Sequence, residues 1–302
     1  MPERAADPAA AWFAAMRRGD WAAAWAVNDA VLARRATPPD DPRLPYHLRH
    51  VWDGRPFDGR DVLVRCYHGL GDTLQFLRYL APLRARAASV ALELQPALVP
   101  LLREHRPIPF DLAAPSPPSS CDIEIMELAH ALRLPPDAVP IPYLSPPPLA
   151  GGGRGEGGLR IGLCAQAGDW DAARSVPLAA LLAALPSDAR LVRLQPDGAD
   201  AAPWENPGPL GDIAATAALV CAVDLVITVD TMIAHLAGAL GRPAWVLLKA
   251  QADWRWMEGE RTAWYPSLRL YRQRRPGDWD APLAAIRRAL GPLSPPAGAR
   301  AG

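Results

Sequence analysis

The sequence predicts an α/β protein built of two parallel-sheet lobes, and three observations carry that expectation. Apolar runs of strand length alternate with helix-length segments, the order expected of a parallel sheet with covering helices. The alternation occurs twice, on either side of a proline- and glycine-rich stretch at residues 135–158. A chain of 302 residues also exceeds what one hydrophobic core normally spans, so two cores are expected.

Ahead of the first alternation, residues 9–35 read as two helices broken at Gly19 and Asp20, with Trp12, Met16, Trp21, Trp25 and Leu32 at helical spacing. One such hairpin resembles a single tetratricopeptide unit, which cannot bury its apolar face alone and must dock on the next domain. The prolines of residues 37–45 separate it from the first lobe. That lobe reads as a strand at 61–66 (DVLVRC), a helix at 72–87, a strand at 90–94 and a helix at 96–103. The second lobe reads as strands at 159–164, 190–194, 225–229 and 244–248, with helices at 178–185, 213–221, 231–240 and 279–290. The expected division is a hairpin over 1–45, a first lobe over 46–150, a second over 151–293 and a disordered tail over 294–302. Gly153, Gly155 and Gly158 match a dinucleotide-loop spacing, but they precede a strand instead of following one and read as interdomain linker.

Composition excludes several functions. With 32 basic and 32 acidic residues the net charge is zero, which argues against a polyanion surface and a nucleic-acid partner. No apolar run reaches the roughly 18 residues of a membrane span, and the N-terminus lacks the layout of a signal peptide, so a cytoplasmic protein is expected. Cys66, Cys121, Cys164 and Cys221 form no C-x-x-C pair and read as buried free thiols, with no metal site among them. Lys249 is the only lysine in an arginine-rich chain, so arginine clusters carry less functional weight than usual.

Ligands of open parallel sheets sit beyond the carboxyl ends of the strands. The first such loop is Tyr67-His68-Gly69-Leu70-Gly71-Asp72-Thr73. Gly69 and Gly71 allow close backbone approach, the following helix offers free N–H groups, and Asp72 reads either as a helix cap or as a working carboxylate. A second lies at Asp230-Thr231-Met232, where Asp230 or Thr231 caps a helix and His235, one turn on, is either a satisfied core histidine or a ligand contact. Asp169 and Asp171 look like a D-x-D metal pair, yet the same GDWDA pentamer recurs at 277–281, where turn chemistry accounts for it. Arg174 and Ser175 are better placed to meet a phosphate. Trp254, Trp256, Trp264 and Tyr265 suit stacking on a sugar or packing, and Lys249 ends a strand at the expected cleft mouth.

Three segments together resemble a known family: CYHGLGDTLQFLRYLAPL at 66–83, VDTMIAHLAGALGRPAWVLL at 229–248 and DWRWMEGERTAWYPSLRLYRQ at 253–273. They resemble glycosyltransferase family 9, the ADP-heptose:lipopolysaccharide heptosyltransferase-like proteins, and within it the members bearing tetratricopeptide helices. The resemblance implies the GT-B architecture, two Rossmann-like lobes facing a cleft. It also implies inverting transfer from a nucleotide-diphosphate sugar with no metal or cofactor, to a glycan, glycolipid or protein acceptor; a glycolipid would bring peripheral contact with a membrane. Carried over by position, it makes Asp72 the general base. Asp230, Thr231, His235 and Arg174 become donor contacts; the reading of the loops adds Ser175 and Lys249 to them and places His68, Gly69, Gly71, Gln75, Trp254 and Trp256 on the acceptor side. Met232 stands where heptosyltransferases have glycine, a departure that puts heptose as the sugar in question. The competing expectation is a non-catalytic scaffold that keeps the two-lobed shell and recruits partners through the hairpin.

Overall fold

The computed structural model describes residues 7–35, 52–111, 121–145, 158–196, 204–205 and 210–291. The proline segment at 37–45, residues 146–157 of the 135–158 linker and the tail at 294–302 fall outside the described residues. The chain divides into two compact units, Met1–Tyr143 together with Trp254–Glu258, and Leu144–Asp253 together with Gly259–Gly302.

In the first unit the hairpin forms as α1 (Pro8–Arg18) and α2 (Trp21–Arg34). Asp7 and Asp20 cap the two helices through side-chain oxygens, and Gly19, at φ 71°, takes the left-handed conformation that ends α1. The hairpin docks as its composition requires. Trp12 meets Trp254 edge to face at 5.0 Å, Arg35 pairs with Glu127, and Asp29 accepts from His130 at 2.8 Å and from Arg133. The bonds from Arg133 and His130 hold the Asp29 carboxyl below its ordinary range.

The body of this unit is a four-stranded parallel sheet in the order β3-β2-β1-β4, with β1 at Asp61–Arg65, β2 at Ser89–Leu94, β3 at Ile108–Pro109 and β4 at Asp122–Glu124. The long helix expected at 72–87 is broken into α3 (Leu70–Phe76), a 3₁₀ turn at Leu77–Tyr79 and α4 (Leu80–Arg84). Pro82 has no N–H to return to Arg78, so a continuous ladder is unavailable there. The helix expected at 96–103 shrinks to a 3₁₀ turn at Pro96–Leu98, again with a proline, Pro100, withholding a donor. Strand β4 and the short α5 (Leu128–Leu132) were not expected. Two of the three residues of β4 are acidic, yet all three are buried; Arg65 on the neighbouring strand neutralises Asp122. The same guanidinium lies 3.6 Å from Glu93. A charge held this way is costly to strand by removing its partner.

The second unit is a five-stranded parallel sheet in the order β6-β5-β7-β8-β9. Its elements are β5 (Arg160–Cys164), α6 (Leu178–Leu182), β6 (Arg190–Arg193), α7 (Ile213–Ala222), β7 (Leu225–Val229), α8 (Met232–Ala239), β8 (Ala244–Leu248), β9 (Leu268–Arg272) and α9 (Asp280–Leu290). Every residue of β7 is buried, as suits a strand covered on both faces, and Ile161, Leu163, Ile227, Val229, Leu247 and Ile286 anchor the core. Strand β9 had no counterpart in the sequence reading, since its two arginines interrupt the apolar run. Gly238 lets α8 lie directly against Tyr265: a Cβ there would fall 2.2 Å from the ring. Among the described residues no helix is long and apolar enough to cross a membrane.

In each sheet the direction of winding reverses at one place. In the first it lies between β1 and β4, and in the second between β5 and β6 on one side and β7 on the other. The carboxyl ends of the strands at such a switch point are where open α/β sheets bind ligands.

Candidate functional site

The loop after β1 carries Asp72 into the first switch point. Gly69 is the N-cap of α3, so Asp72 is the third helical residue, not the cap that one reading of the sequence made it. Its Oδ2 reaches back to accept from the Gly69 N–H at 3.0 Å, and its Oδ1 pairs with Arg255 at 2.6 Å. A Cβ on Gly69 would approach Oδ2 to 3.1 Å, so glycine keeps this return path open. Gly71 lies inside the first turn. From the end of β2, Gln95 locks the loop: its amide nitrogen donates to the His68 carbonyl at 2.7 Å, and its oxygen accepts from Thr73 at 3.0 Å. His68 is exposed, while Gln75 is fully buried with neither end of its amide hydrogen-bonded.

A second carboxyl lies at the same switch point. Glu124 ends β4; its Oε2 accepts from the Met126 N–H at 2.8 Å, and His68 Nε2 stands 3.9 Å from its Oε1. Burial pushes this carboxyl up to about 8; Glu127 and Asp72 add to the rise, and the Met126 N–H and Arg255 oppose it.

Of the two roles open to Trp254 and Trp256, stacking on a sugar or packing, their burial fits packing: Trp254 lies between Trp12 and the Arg255 guanidinium, 4.4 Å from its ring centroid. The residue between them is the one that reaches Asp72.

In the second unit, Thr231 is the cap of α8, its Oγ1 accepting from the Ile233 N–H at 3.3 Å. Asp230 contributes its carbonyl, which accepts from Arg174 Nη1 at 2.7 Å. Arg174 is buried, 3.7 Å from the Asp171 carboxylate, and Lys249 Nζ meets the same carboxylate at 2.7 Å. Asp171 thus clamps two cations beside the start of α8, a role that turn chemistry alone does not describe. Among the described residues no group of three or more His, Cys, Asp or Glu side chains could hold a metal. Ser175 Oγ accepts from the Ala167 N–H at 3.0 Å and Gln195 Oε1 from the Ala165 N–H at 2.7 Å, which together shape the loop after β5. Trp170, 80 % exposed, lies with the Arg174 guanidinium 4.1 Å over its ring. Met232 is half-buried at the first position of α8.

His235 is buried on α8, its Nδ1 3.0 Å from the Tyr265 hydroxyl. Removing the ring takes away a buried hydrogen bond, so His235→Ala is expected to cost about 1–3 kcal/mol of stability. If Nε2 also serves a phosphate, nucleoside-diphosphate affinity falls by a similar amount. A melting curve beside a calorimetric titration separates the two, and unaltered affinity would remove His235 from the donor contacts.

Sequence reasoning missed Arg255, Glu124, Gln95, Gln195 and the clamp at Asp171. An acid closing a buried strand is a readable signal for Glu124; the pairing of Arg255 with Asp72 leaves none, because nothing local links two positions so far apart.

No family model matches the chain. Over 79 residues, 26 % of its length, it is 37 % identical to Protein FlbA of Caulobacter vibrioides, and the match spans 13 % of that protein. Among solved structures it is similar to the iron-containing dodecameric glycosyltransferase TibC of enterotoxigenic E. coli H10407 (16 % identity, TM-score 0.49, 64 % of this chain and 59 % of TibC). It is also similar to E. coli heptosyltransferase WaaC (14 %, 0.49, 76 % and 98 %) and to E. coli ADP-heptose lps heptosyltransferase II (12 %, 0.48, 76 % and 97 %). The chain therefore spans a small part of FlbA and under two thirds of TibC.

Proposed function

We propose that the chain is a glycosyltransferase moving a sugar from a nucleotide-diphosphate donor to an acceptor hydroxyl, with inversion. The observation that carries this reading is the cluster at the second unit's switch point: two cationic side chains, Arg174 and Lys249, beside a Thr231-capped helix start. Free N–H groups and the helix dipole favour a diphosphate there, and the cations oppose the charge that grows on it as it leaves. Asp72 takes the acceptor's proton as its oxygen attacks the anomeric carbon. Although both oxygens of Asp72 are engaged, each retains a lone pair, so the carboxylate can still accept. The family resemblance of the motifs at 66–83 and 229–248 supports both assignments.

A thermal-shift screen of the full chain against ADP, GDP, UDP and their sugars is the direct test. A donor present at a hundred times its Kd should add about 2.7 kcal/mol of stability by mass action. No shift with any nucleotide would sink the reading. Transfer should persist in a chelator, because Arg174, Lys249 and the start of α8 carry the leaving group. Strict magnesium or manganese dependence would turn attention to Asp169 and Asp171.

One observation favours a non-catalytic scaffold instead: the unit's own contacts engage both oxygens of Asp72. Such a protein would show neither transfer nor slow donor hydrolysis.

A further inference from the structure

We infer that Glu124 is a binding residue for the acceptor, donating a hydrogen bond from Oε1 to one oxygen of a vicinal diol whose neighbouring hydroxyl is held by Asp72. The inference rests on the transferase reading and deepens it by naming the chemistry of the acceptor, a saccharide or other polyol.

Glu124 closes β4, Asp72 follows β1, and these adjacent parallel strands form the first sheet's switch point, with Arg65 and Glu124 in register. Helix α3, which carries Asp72, packs on the turn that follows Glu124.

Glu124 is only 5 % exposed, yet its Oε1 has no hydrogen-bond partner. Buried polar atoms are nearly always paired, so an orphan at the mouth of a sheet points to a partner that arrives with a ligand. Because Oε2 already accepts from the Met126 N–H, the free position is Oε1.

The titratable and charged groups facing Glu124 are Asp72 from α3, Tyr67 and His68 from the loop, Cys66 just after β1, Glu127 from the following turn, and Arg255. Burial and the two acids keep the carboxyl protonated at neutral pH, so Oε1 presents a hydroxyl. A vicinal diol matches the pair: one hydroxyl donates to the Asp72 carboxylate and the adjacent oxygen accepts from Glu124. An amine-bearing ligand would meet a proton where it needs an acceptor.

The test is equilibrium binding of a panel of methyl glycosides (glucoside, galactoside, mannoside and N-acetylglucosaminide) to the full chain between pH 6 and 9. At least one should bind, with affinity falling about tenfold as the pH rises through 8. In Glu124→Gln, whose amide donates at every pH, binding should persist without that pH dependence. In Glu124→Leu it should drop at least tenfold at pH 6. No glycoside binding, a flat profile in the natural protein, affinity that rises with pH, or a Leu variant that binds as well would each overturn the inference. A melting curve for each variant separates lost binding from lost fold. Nucleoside-diphosphate titration of the same samples reports on the transferase reading separately: failure there with a Glu124-dependent glycoside site intact would discard the reaction, not the site.

Discussion

Asp72→Asn is expected to lower transfer turnover about a hundredfold or more while nucleotide affinity stays close to that of the natural protein. The substitution suits the question because the asparagine oxygen can still accept from the Gly69 N–H, so the first turn of α3 keeps its return bond. What disappears is the negative charge that pairs with Arg255 and takes the proton. Asp72→Ala, which also deletes the return bond, should show the same loss of turnover with a lower melting point. Single-turnover kinetics beside nucleotide titration would decide the matter. Turnover retained in the Asn variant would reduce Asp72 to a helix-start residue and favour the scaffold.

The largest expected effect on stability is at Gly238. An added methyl there meets three carbons of the Tyr265 ring at 2.2, 2.5 and 2.7 Å, separations that real contacts do not adopt. Tyr265 is fully buried and Gly238 lies in a buried helix, so neither can give way easily. Gly238→Ala should therefore cost at least about 3 kcal/mol, at the top of the range for overpacking, despite alanine's better helix propensity. Urea denaturation would measure it. Combining it with Tyr265→Leu should recover part of the loss, a non-additivity expected of residues in direct contact. A Gly238→Ala protein as stable as the original would show that α8 can move off Tyr265.

What the sequence revealed followed local chemistry. Strands β1, β5, β7 and β8 are built on apolar runs, and their ends fell within a residue or two of expectation. The loop with Gly69 and Asp72 and the helix start at Thr231 were legible because glycines, a capping threonine and an apolar run lie next to one another in the chain. The hairpin was legible from tryptophan spacing and Gly19. Several of the failures share a cause as well: they depend on a partner remote in sequence. Strand β4 is hidden because Asp122 looks like a surface residue until Arg65 neutralises it, and β9 because its arginines obscure the run. Asp171 looks like a turn residue until Arg174 and Lys249 close on it. The two breaks in the expected helices were readable in principle, since Pro82 and Pro100 are plain in the sequence, but helical spacing outweighed them.

The placement of Arg255 bears on how the protein is made. The first unit contains Met1–Tyr143, but its last members, Trp254–Glu258, come from the chain between β8 and β9. As the polypeptide leaves the ribosome, the Asp72 loop emerges early and waits for its cation until nearly all of the second sheet has been synthesised. Over that interval Trp12 also lacks Trp254, and the hairpin lacks one of its anchors. A nascent chain stalled before Trp254 would thus expose an unpaired carboxylate and an uncovered tryptophan, which are features a chaperone or protease can read. Cutting the gene between the two units would leave the first one permanently in that unfinished state.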